Sequence, residues 1–393
     1  MFNESNFSIY IADKKSSIPP DLISYSMFES IHSVYTKGYI EIEDPTASIA
    51  EALLTMPGTK IKIELGGLQN LLNPEFVIKQ DQMEGTSSGV MYTGTIQAPL
   101  IDSWYVEQRR GYSSYTGSAS DVISRLLREY QINSMSDNTG TNRTWYQGGR
   151  TAAKFIEDDL LMHSYSANSQ NTPLYGWKGL DGRFFLRSIR NLWEGKKPKM
   201  TLKYSNQSDP MLTPKTIISI SRYSADLAEI KRTGKSVFYS VNDQGEIEED
   251  NVSMGKVWTP KSQGTELLVD TMESGLKTEF FPWEGTETGD KEAYKARRIQ
   301  QFRHNIFLDR FVLLIPYEGG LRAGDKIAIE IPPSIGSKNS NSERFSGDYL
   351  IEALEHIWDR SEKMLWSKLY IGRKFGKLPS RNVLKRKQGF SDA

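Results

Sequence analysis

The chain has 393 residues, 49 basic and 49 acidic, with 38% hydrophobic and 11% aromatic side chains and no cysteine. This length favours two to four domains of a soluble globular protein, and the balanced charge argues against general nucleic-acid binding, which needs a basic excess to neutralise phosphates. Without cysteine, the chain has no disulfide, no thiolate metal site and no cysteine nucleophile.

Residues 1–112 are predicted to form mainly β-strands, because apolar and polar side chains alternate in them with a period of two. Such alternation places Ile61 and Ile63 on one inward face. A short helix is expected within residues 46–56. Strands are predicted at Phe7–Ile11, Tyr39–Glu43, Lys60–Leu65 and Met91–Ala98.

Residues 113–205 change to a helical period and are predicted to form an α/β module. Ser118 is a candidate N-cap of a first helix, and a second helix is predicted to begin at Thr151. The dipeptide Asp181-Gly182 is a strong turn signal, which predicts a β-hairpin around it. The module is therefore expected to combine two helices with an aromatic hairpin.

Strand character returns at residues 206–236 and 306–376. Between these segments, residues 237–305 are polar and rich in Gly, Asp and Glu, which predicts an insertion with surface loops and a charged helix near its end. Residues 377–393 are predicted to form a basic C-terminal tail.

A short repeat links the two strand-rich segments. Gly58-Thr59-Lys60-Ile61-Lys62-Ile63-Glu64-Leu65 recurs as Gly324-Asp325-Lys326-Ile327-Ala328-Ile329-Glu330-Ile331, and each copy follows a turn. Downstream, Tyr92-Thr93-Gly94 is echoed by Phe345-Ser346-Gly347. Any two amphipathic strands after a glycine turn look alike, so chance similarity stays open beside an internal duplication. A duplicated β-unit in a chain that forms a trimer would present six similar units.

The C-terminal stretch resembles the second barrel of baseplate hub proteins from contractile phage tails, the family that includes the late-control hub and the spike base of type VI secretion. The order of elements in residues 113–205 is also similar to that family. The resemblance covers roughly residues 1–376 in element order. The matching C-terminal features are Ala293–Ile299, Leu321–Asp325, Phe345–Tyr349, Leu354–His356 and Lys368–Ile371.

The resemblance implies a mainly β fold with α+β parts. Two tube-like β-barrels would occupy residues 1–112 and residues 206–236 with 306–376, the α/β module would lie between them, and the second barrel would contain the insertion 237–305. The strands of the ring would include Lys60, Ile61, Ile63, Lys326, Ile327 and Ile329.

The same resemblance implies a structural, non-enzymatic role as the trimeric hub of a tail baseplate. A homotrimer would join the hexameric tail tube to the trimeric central spike, with baseplate wedge or tape-measure components as further partners and DNA only as cargo in the lumen. The implied location is the virion, with assembly in the bacterial host cytoplasm. The sequence also lacks a signal-peptide pattern and any ~20-residue apolar stretch that would span a membrane.

A cluster of basic residues near the C-terminus contains no acid. It is interpreted either as a solvated tail or as an arm that orders on an acidic partner subunit. Its residues are Arg373, Lys374, Lys377, Arg381, Lys385, Arg386 and Lys387.

No catalytic, metal or cofactor site is predicted. The four histidines have no zinc-type spacing, and the acidic run Glu157–Asp159 is typical of a solvated helix face. Two alternatives stay open: a carbohydrate-binding or carbohydrate-cleaving protein of the tail, and the spike base of a contractile secretion system. In the first, Trp145, Trp177 or Trp283 would be candidate stacking platforms.

Overall fold

The computed structural model of the chain describes most of its strand-rich parts and the segment between them. The described residues are 7–11, 14–17, 22–44, 60–65, 72, 74–78, 84–85, 94–140, 142–168, 172–194, 196–204, 213–222, 234–241, 247–251, 275–280, 300, 303, 306–307, 309–331, 345–362 and 364–373. The helices predicted within 46–56 and near the end of the insertion lie outside these residues, apart from isolated positions.

The described elements are mostly β-strands, which confirms the predicted mainly β class. The strands are β1 (Phe7–Ile11), β2 (Lys14–Ser17), β3 (Leu22–Ser30), β4 (Lys37–Asp44), β5 (Lys60–Leu65), β6 (Glu75–Ile78), β7 (Glu84–Gly85), β8 (Gly94–Asp102), β9 (Ser114–Ser118), β10 (Ser134–Ser136), β11 (Asn142–Tyr146), β12 (Leu174–Lys178), β13 (Phe184–Ser188), β14 (Thr201–Tyr204), β15 (Thr216–Ile217), β16 (Ser219–Arg222), β17 (Gly234–Val241), β18 (Ile247–Asn251), β19 (Gly275–Phe280), β20 (Asp309–Pro316), β21 (Lys326–Glu330), β22 (Gly347–Asp359) and β23 (Met364–Arg373). The helices are α1 (Ser103–Glu107), α2 (Ala119–Glu129), α3 (Ala152–Phe155), which continues as a π-helical turn (Ile156–Leu160), and α4 (Ile189–Trp193).

Fifteen of these strands form one sheet that contains both halves of the chain. Its main path runs β15-β14-β21-β22-β3-β4-β8-β6-β5-β1-β2, with β23, β20 and β16 continuing from β22 and with β7 beside β8. The strands of residues 1–112 and those of the C-terminal half are therefore not separate sheets. They are joined by the antiparallel pairing of β22 with β3.

The longest strand, β22, belongs to both halves. Its beginning pairs with β21, from Ile329↔Gly347 to Lys326↔Leu350. Its end pairs with β3, from Ala353↔Ser30 to Asp359↔Ser24. The register with β23 shifts between Ile351 and Ala353, so a β-bulge at Glu352 marks the point where β22 changes neighbours. Bulges bend a strand and increase its twist. The bend allows β22 to pair with β21 at its beginning and with β3 at its end.

Two apolar cores lie along this sheet, and the hairpin of β22 and β23 contributes to both. Tyr349 and Leu369 pack in the core of the C-terminal half, whereas Trp358 and Leu365, near the hairpin turn, pack in the core of residues 1–112. All four side chains are buried. The hairpin thus buries apolar surface in both halves of the chain. The halves are expected to resist separation, since burial of apolar surface is the main favourable term in folding.

Residues 113–205, which we call the module, contain the helices and the hairpin that the sequence predicted. Ser118 Oγ accepts a hydrogen bond from Asp121 N at 3.2 Å, which confirms the predicted N-cap. The second helix begins after Thr151, as predicted, and Thr151 Oγ1 caps it by accepting a hydrogen bond from Lys154 N. The hairpin β12–β13 turns at Asp181-Gly182, as predicted. Strand β10 extends this hairpin, and β9 pairs with β11 as a separate ribbon. The apolar core of these elements also contains Val34 and Trp104 of the N-terminal part.

A separate three-stranded sheet in the order β18-β17-β19 lies mostly within residues 237–305, the segment predicted as an insertion. Among the described residues, no helix combines the length and the apolar composition that a membrane span needs.

Candidate functional site

The six predicted ring residues occupy two strands of the main sheet. Ile61 and Ile63 of β5 are fully buried in the core of residues 1–112, and Ile327 and Ile329 of β21 are buried in the other core. The alternation therefore places the isoleucines inward, as the sequence indicated.

The two lysines that begin these strands form ion pairs with carboxylates of neighbouring elements. Lys60 Nζ lies 2.7 Å from Glu75 Oε1 and 2.9 Å from Glu107 Oε1, and its hydrogen bonds to these carboxylates raise its pKa above the usual value. Lys326 Nζ lies 2.8 Å from Asp348 Oδ2. Both ammonium groups are therefore engaged by neighbouring strands or helices of the same chain.

The two copies of the repeat have different neighbours in the sheet. Strand β5 lies between β1 and β6, whereas β21 lies between β14 and β22. The echoed glycines Gly94 and Gly347 do open strands, β8 and β22 respectively. Their equivalence within a duplicated unit stays a prediction.

A buried carboxylate connects three parts of the chain. Glu29 of β3 is fully buried. One of its oxygens accepts a hydrogen bond from Leu180 N of the module hairpin at 2.7 Å, and the other accepts one from Ala323 N of the turn before β21 at 2.6 Å. Because buried backbone N–H groups need partners, this single side chain ties the module and the C-terminal half to β3.

The surroundings of Glu29 raise the pKa of its carboxyl group. Burial raises its pKa to about 7, although the charge of Arg322 and the two backbone hydrogen bonds oppose the shift. Arg322 is anchored by hydrogen bonds from its guanidinium to the carbonyl oxygens of Gly319 and Leu321. The next turn residue, Gly324, has a φ of +85°, and a Cβ there would meet the Trp177 ring at 2.8 Å. The turn therefore requires glycine at this position.

Glu29 is not among the residues predicted from the sequence, although the sequence contains a signal for it. Tyr25 and Met27 lie on the same side of β3 as Glu29 and are buried. A carboxylate at an inward position of a strand indicates a specific partner, because an unpaired buried charge is costly.

A second buried carboxylate lies at the bulge of β22. Arg310 of β20 binds Glu352 through two nitrogens, Nε to Oε1 and Nη2 to Oε2, each at 2.9 Å. His32, in the loop after β3, approaches Glu352 Oε2 at 3.1 Å. A Cβ at Gly372 of β23 would lie 2.3 Å from Glu352 Oε1. The bulge is thus stabilised by charged hydrogen bonds from both halves of the chain.

A third buried carboxylate, that of Asp102 at the end of β8, attaches the module through an ion pair. Lys178 Nζ lies 2.7 Å from Asp102 Oδ1, and Thr36 Oγ1 donates to Asp102 Oδ2 at 2.6 Å. Asp102 also accepts a hydrogen bond from Trp104 N and thereby caps α1. Together, the carboxylates of Glu29, Glu352 and Asp102 fix the relative positions of the three parts of the chain.

The predicted basic tail lies outside the described residues, except for Arg373. This arginine ends β23 and is buried; it forms an ion pair with Asp309 at 3.4 Å, and its Nη1 donates to Ser346 O at 3.0 Å. Its guanidinium also lies 4.5 Å from the centre of the Tyr349 ring. The assignment of Arg373 to a partner-binding tail is therefore corrected, because its charge is used inside the fold.

The histidines that the structure describes have structural contacts. His163 Nδ1 lies 3.1 Å from Asp159 O after the π-helical turn. His356 of β22 is fully buried, with Nδ1 3.0 Å from Ser367 Oγ, and burial lowers its pKa to about 3. In the described part of the chain, no cluster of three or more His, Asp or Glu side chains is arranged to hold a metal ion.

Replacing His356 with asparagine is expected to reduce acid sensitivity. A histidine with a folded pKa near 3 stays neutral while the unfolded chain takes up a proton below about pH 6.5, so the native state loses stability as pH falls from 6.5 towards 3. The wild type should lose about 2 kcal/mol more than His356→Asn between pH 7 and pH 5, as measured by urea unfolding at each pH. Parallel pH profiles would contradict this role.

The candidate carbohydrate platforms are buried where they are described. Trp145 and Trp177 are each only 2% exposed, so neither ring can stack on a sugar. Trp283 lies outside the described residues. The prediction that Trp145 or Trp177 is a carbohydrate-stacking platform is therefore wrong.

Comparison with known proteins gives structural matches only. No protein-family model matches the chain, and no curated protein matches it significantly. Its structure is similar to that of a tail protein from Neisseria meningitidis MC58, with a TM-score of 0.55, 10% identity and coverage of 94% of this chain and 96% of that one. It is also similar to the 43 kDa tail protein of prophage MuSo2 from Shewanella oneidensis, with a TM-score of 0.53, 7% identity and coverage of 94% and 98%. The chain therefore has the fold of these tail proteins over nearly its whole length, which confirms, at the level of the fold, the resemblance indicated by the sequence.

Proposed function

We propose that this protein is the hub subunit of a phage tail baseplate, a structural adaptor between the tail tube and the central spike. The observation that supports this role best is the near-complete structural match, in both directions, to two tail proteins. In the proposed assembly, three chains form a ring with a channel for DNA, and the role is mechanical rather than enzymatic. The ring would be part of the virion and would form in the host cytoplasm.

The proposed ring needs two tube-like barrels in each chain. For the second barrel, support comes from β15 and β16, which are separated only by Ile218. Strand β15 pairs with β14, and β16 pairs with β20. Between these two ends, β14 pairs with β21, β21 with β22, β22 with β23, and β23 with β20. Strands β1 to β8, which include β5, are the proposed first barrel.

The buried ion pairs support a rigid adaptor. A ring that passes force from a tube to a spike must keep its two barrels in a fixed relation, and β22 with Glu352 would provide this within one chain. The contacts between chains would bury about 2,000 Å² or more, as is usual for obligate assemblies. A spike base of a contractile secretion system would have the same architecture, and the genes beside this one would distinguish the two settings.

The oligomeric state provides the first test of this function. Light scattering coupled to size-exclusion chromatography should give a mass three times that of the chain, over a range of concentrations. The trimer should then bind tail-tube subunits on one side and spike subunits on the other. A strictly monomeric chain that binds neither would contradict the proposal.

A further inference from the structure

The most exposed aromatic side chains of the described residues lie on the ribbon of the α/β module. Tyr112 is 83% exposed and Tyr146 is 71% exposed. Tyr146 pairs across the ribbon with Ser114, two residues after Tyr112, so both tyrosines lie near the same end. We call residues 109–118 and 142–150 the basic ribbon.

The charge of the basic ribbon is one-sided. It contains four arginines and no acidic residue, in a chain whose total charge is balanced. Arg109 and Arg110 are exposed, whereas Arg150 is paired with Asp159 of the π-helical turn. The guanidinium of Arg143 lies 3.9 Å from the centre of the Trp145 ring. This surface therefore favours an acidic partner.

The two outer edges of the ribbon are not covered by any other described strand. Strands β9 and β11 pair only with each other in the described part of the chain. The inner face of the ribbon packs on the fold, because Trp145 is buried in the core. Within the ribbon, Trp145 Nε1 donates to Gly117 O at 3.0 Å. Its outward face carries hydroxyl groups, with Thr116 opposite Thr144. Exposed strand edges are templates for the addition of another strand.

We propose that the basic ribbon binds an extended acidic segment of a partner protein, which adds to the ribbon as a further β-strand. Main-chain hydrogen bonds would supply part of the affinity, and acidic side chains would face Arg109 and Arg110. Tyr112 and Tyr146 would cover the apolar side chains of the segment. This inference goes beyond the adaptor role and does not depend on it.

A protein segment fits this surface better than a nucleic acid. Single-stranded nucleic acids bind through several open aromatic faces along a basic groove. Here Trp145 is buried beside Arg143, and Tyr115 packs against Phe155 with ring centres 6.0 Å apart. Only Tyr112 and Tyr146 remain open, whereas the unpaired sides of two strands suit a peptide backbone.

The test uses a fluorescent peptide of eight residues that alternates glutamate and valine, titrated with the full-length protein and followed by anisotropy. We expect saturable binding that weakens as salt increases. The double variant R109E/R110E should weaken binding by about tenfold or more, and Y112A/Y146A should also weaken it. A peptide with N-methylated backbone at alternate residues should bind poorly, because it lacks donors for strand pairing.

The matched control is R125E/R128E, which makes the same charge change on exposed positions of α2 in the same module. It should alter binding by less than about twofold. Absence of saturable binding, an equal loss in the control, or undiminished binding of the N-methylated peptide would overturn the proposal. So would tighter binding of an oligothymidine that displaces the peptide, or loss of self-association in R109E/R110E, since the ribbon would then bind nucleic acid or a second copy of the chain.

Discussion

Replacing Glu29 with alanine should lower the free energy of unfolding by about 3 kcal/mol, because two buried N–H groups lose their acceptor and each such loss costs about 1–3 kcal/mol. The donors are Leu180 N and Ala323 N, from two different parts of the chain. The variant should therefore also loosen the module and the turn before β21. Urea unfolding would measure the first effect, and hydrogen exchange at these two amides the second.

The effect of Glu29→Ala should depend on pH in a defined direction. The folded pKa of about 7 lies above the value of 4.5 for an unperturbed glutamate, so the native state binds the proton more tightly than the unfolded chain does. The stability that the folded state gains from binding this proton is fully present below pH 4.5 and is lost as pH rises through 7. The stability difference between the wild type and Glu29→Ala should therefore be larger at pH 5 than at pH 8, by about 1–3 kcal/mol.

Glu330→Ala provides the control for Glu29→Ala. Glu330 ends β21, is exposed, and forms a surface ion pair with Lys203 at 3.2 Å. Its removal should change stability by less than about 0.5 kcal/mol. If Glu29→Ala proved as mild as this control, or if its effect grew with rising pH, Glu29 would not connect β3 to the module and to the C-terminal half as described.

Aspartate in place of Ile329 should have an even larger effect and leave much of the chain unfolded. Ile329 is buried among Leu202, Ile327 and other apolar side chains of the C-terminal core. The change removes apolar packing, which alone costs about 2–5 kcal/mol, and also buries a carboxyl group without a partner. Circular dichroism and limited proteolysis should show the loss of structure.

The same substitution at Ile61 tests the other core. Ile61→Asp should unfold the part built on β1 to β8, since Ile61 is fully buried there. The valine variants at both positions preserve the apolar pattern and should cost only about 0.5–1.5 kcal/mol. Folding of either aspartate variant with wild-type stability would show that the strand in question does not face a core.

The sequence predicted the local elements well where one periodicity dominated. The isoleucines of β5 and β21 alternate strictly, and each strand buries that face. The caps Ser118 and Thr151 were predictable because a capping side chain acts within three residues. The turn at Asp181-Gly182 is equally local.

Long-range features could not be read in the same way. The pairing of β22 with β3 joins residues more than 300 positions apart, and nothing in either strand specifies the other. Arg373 looked like part of a tail because basic residues follow it, yet its contact with Asp309 depends on the pairing of β20 with β23. Glu29 was missed for a related reason, since both of its donors come from distant turns.

The most direct test of the whole account is electron microscopy of the purified protein with no symmetry imposed. If a tube-like unit occurs twice in this polypeptide, the particles should be threefold rings of six similar lobes around a channel, with β5 and β21 in neighbouring lobes. Rings of three lobes, or a density in which these two strands occupy unlike structures, would contradict it.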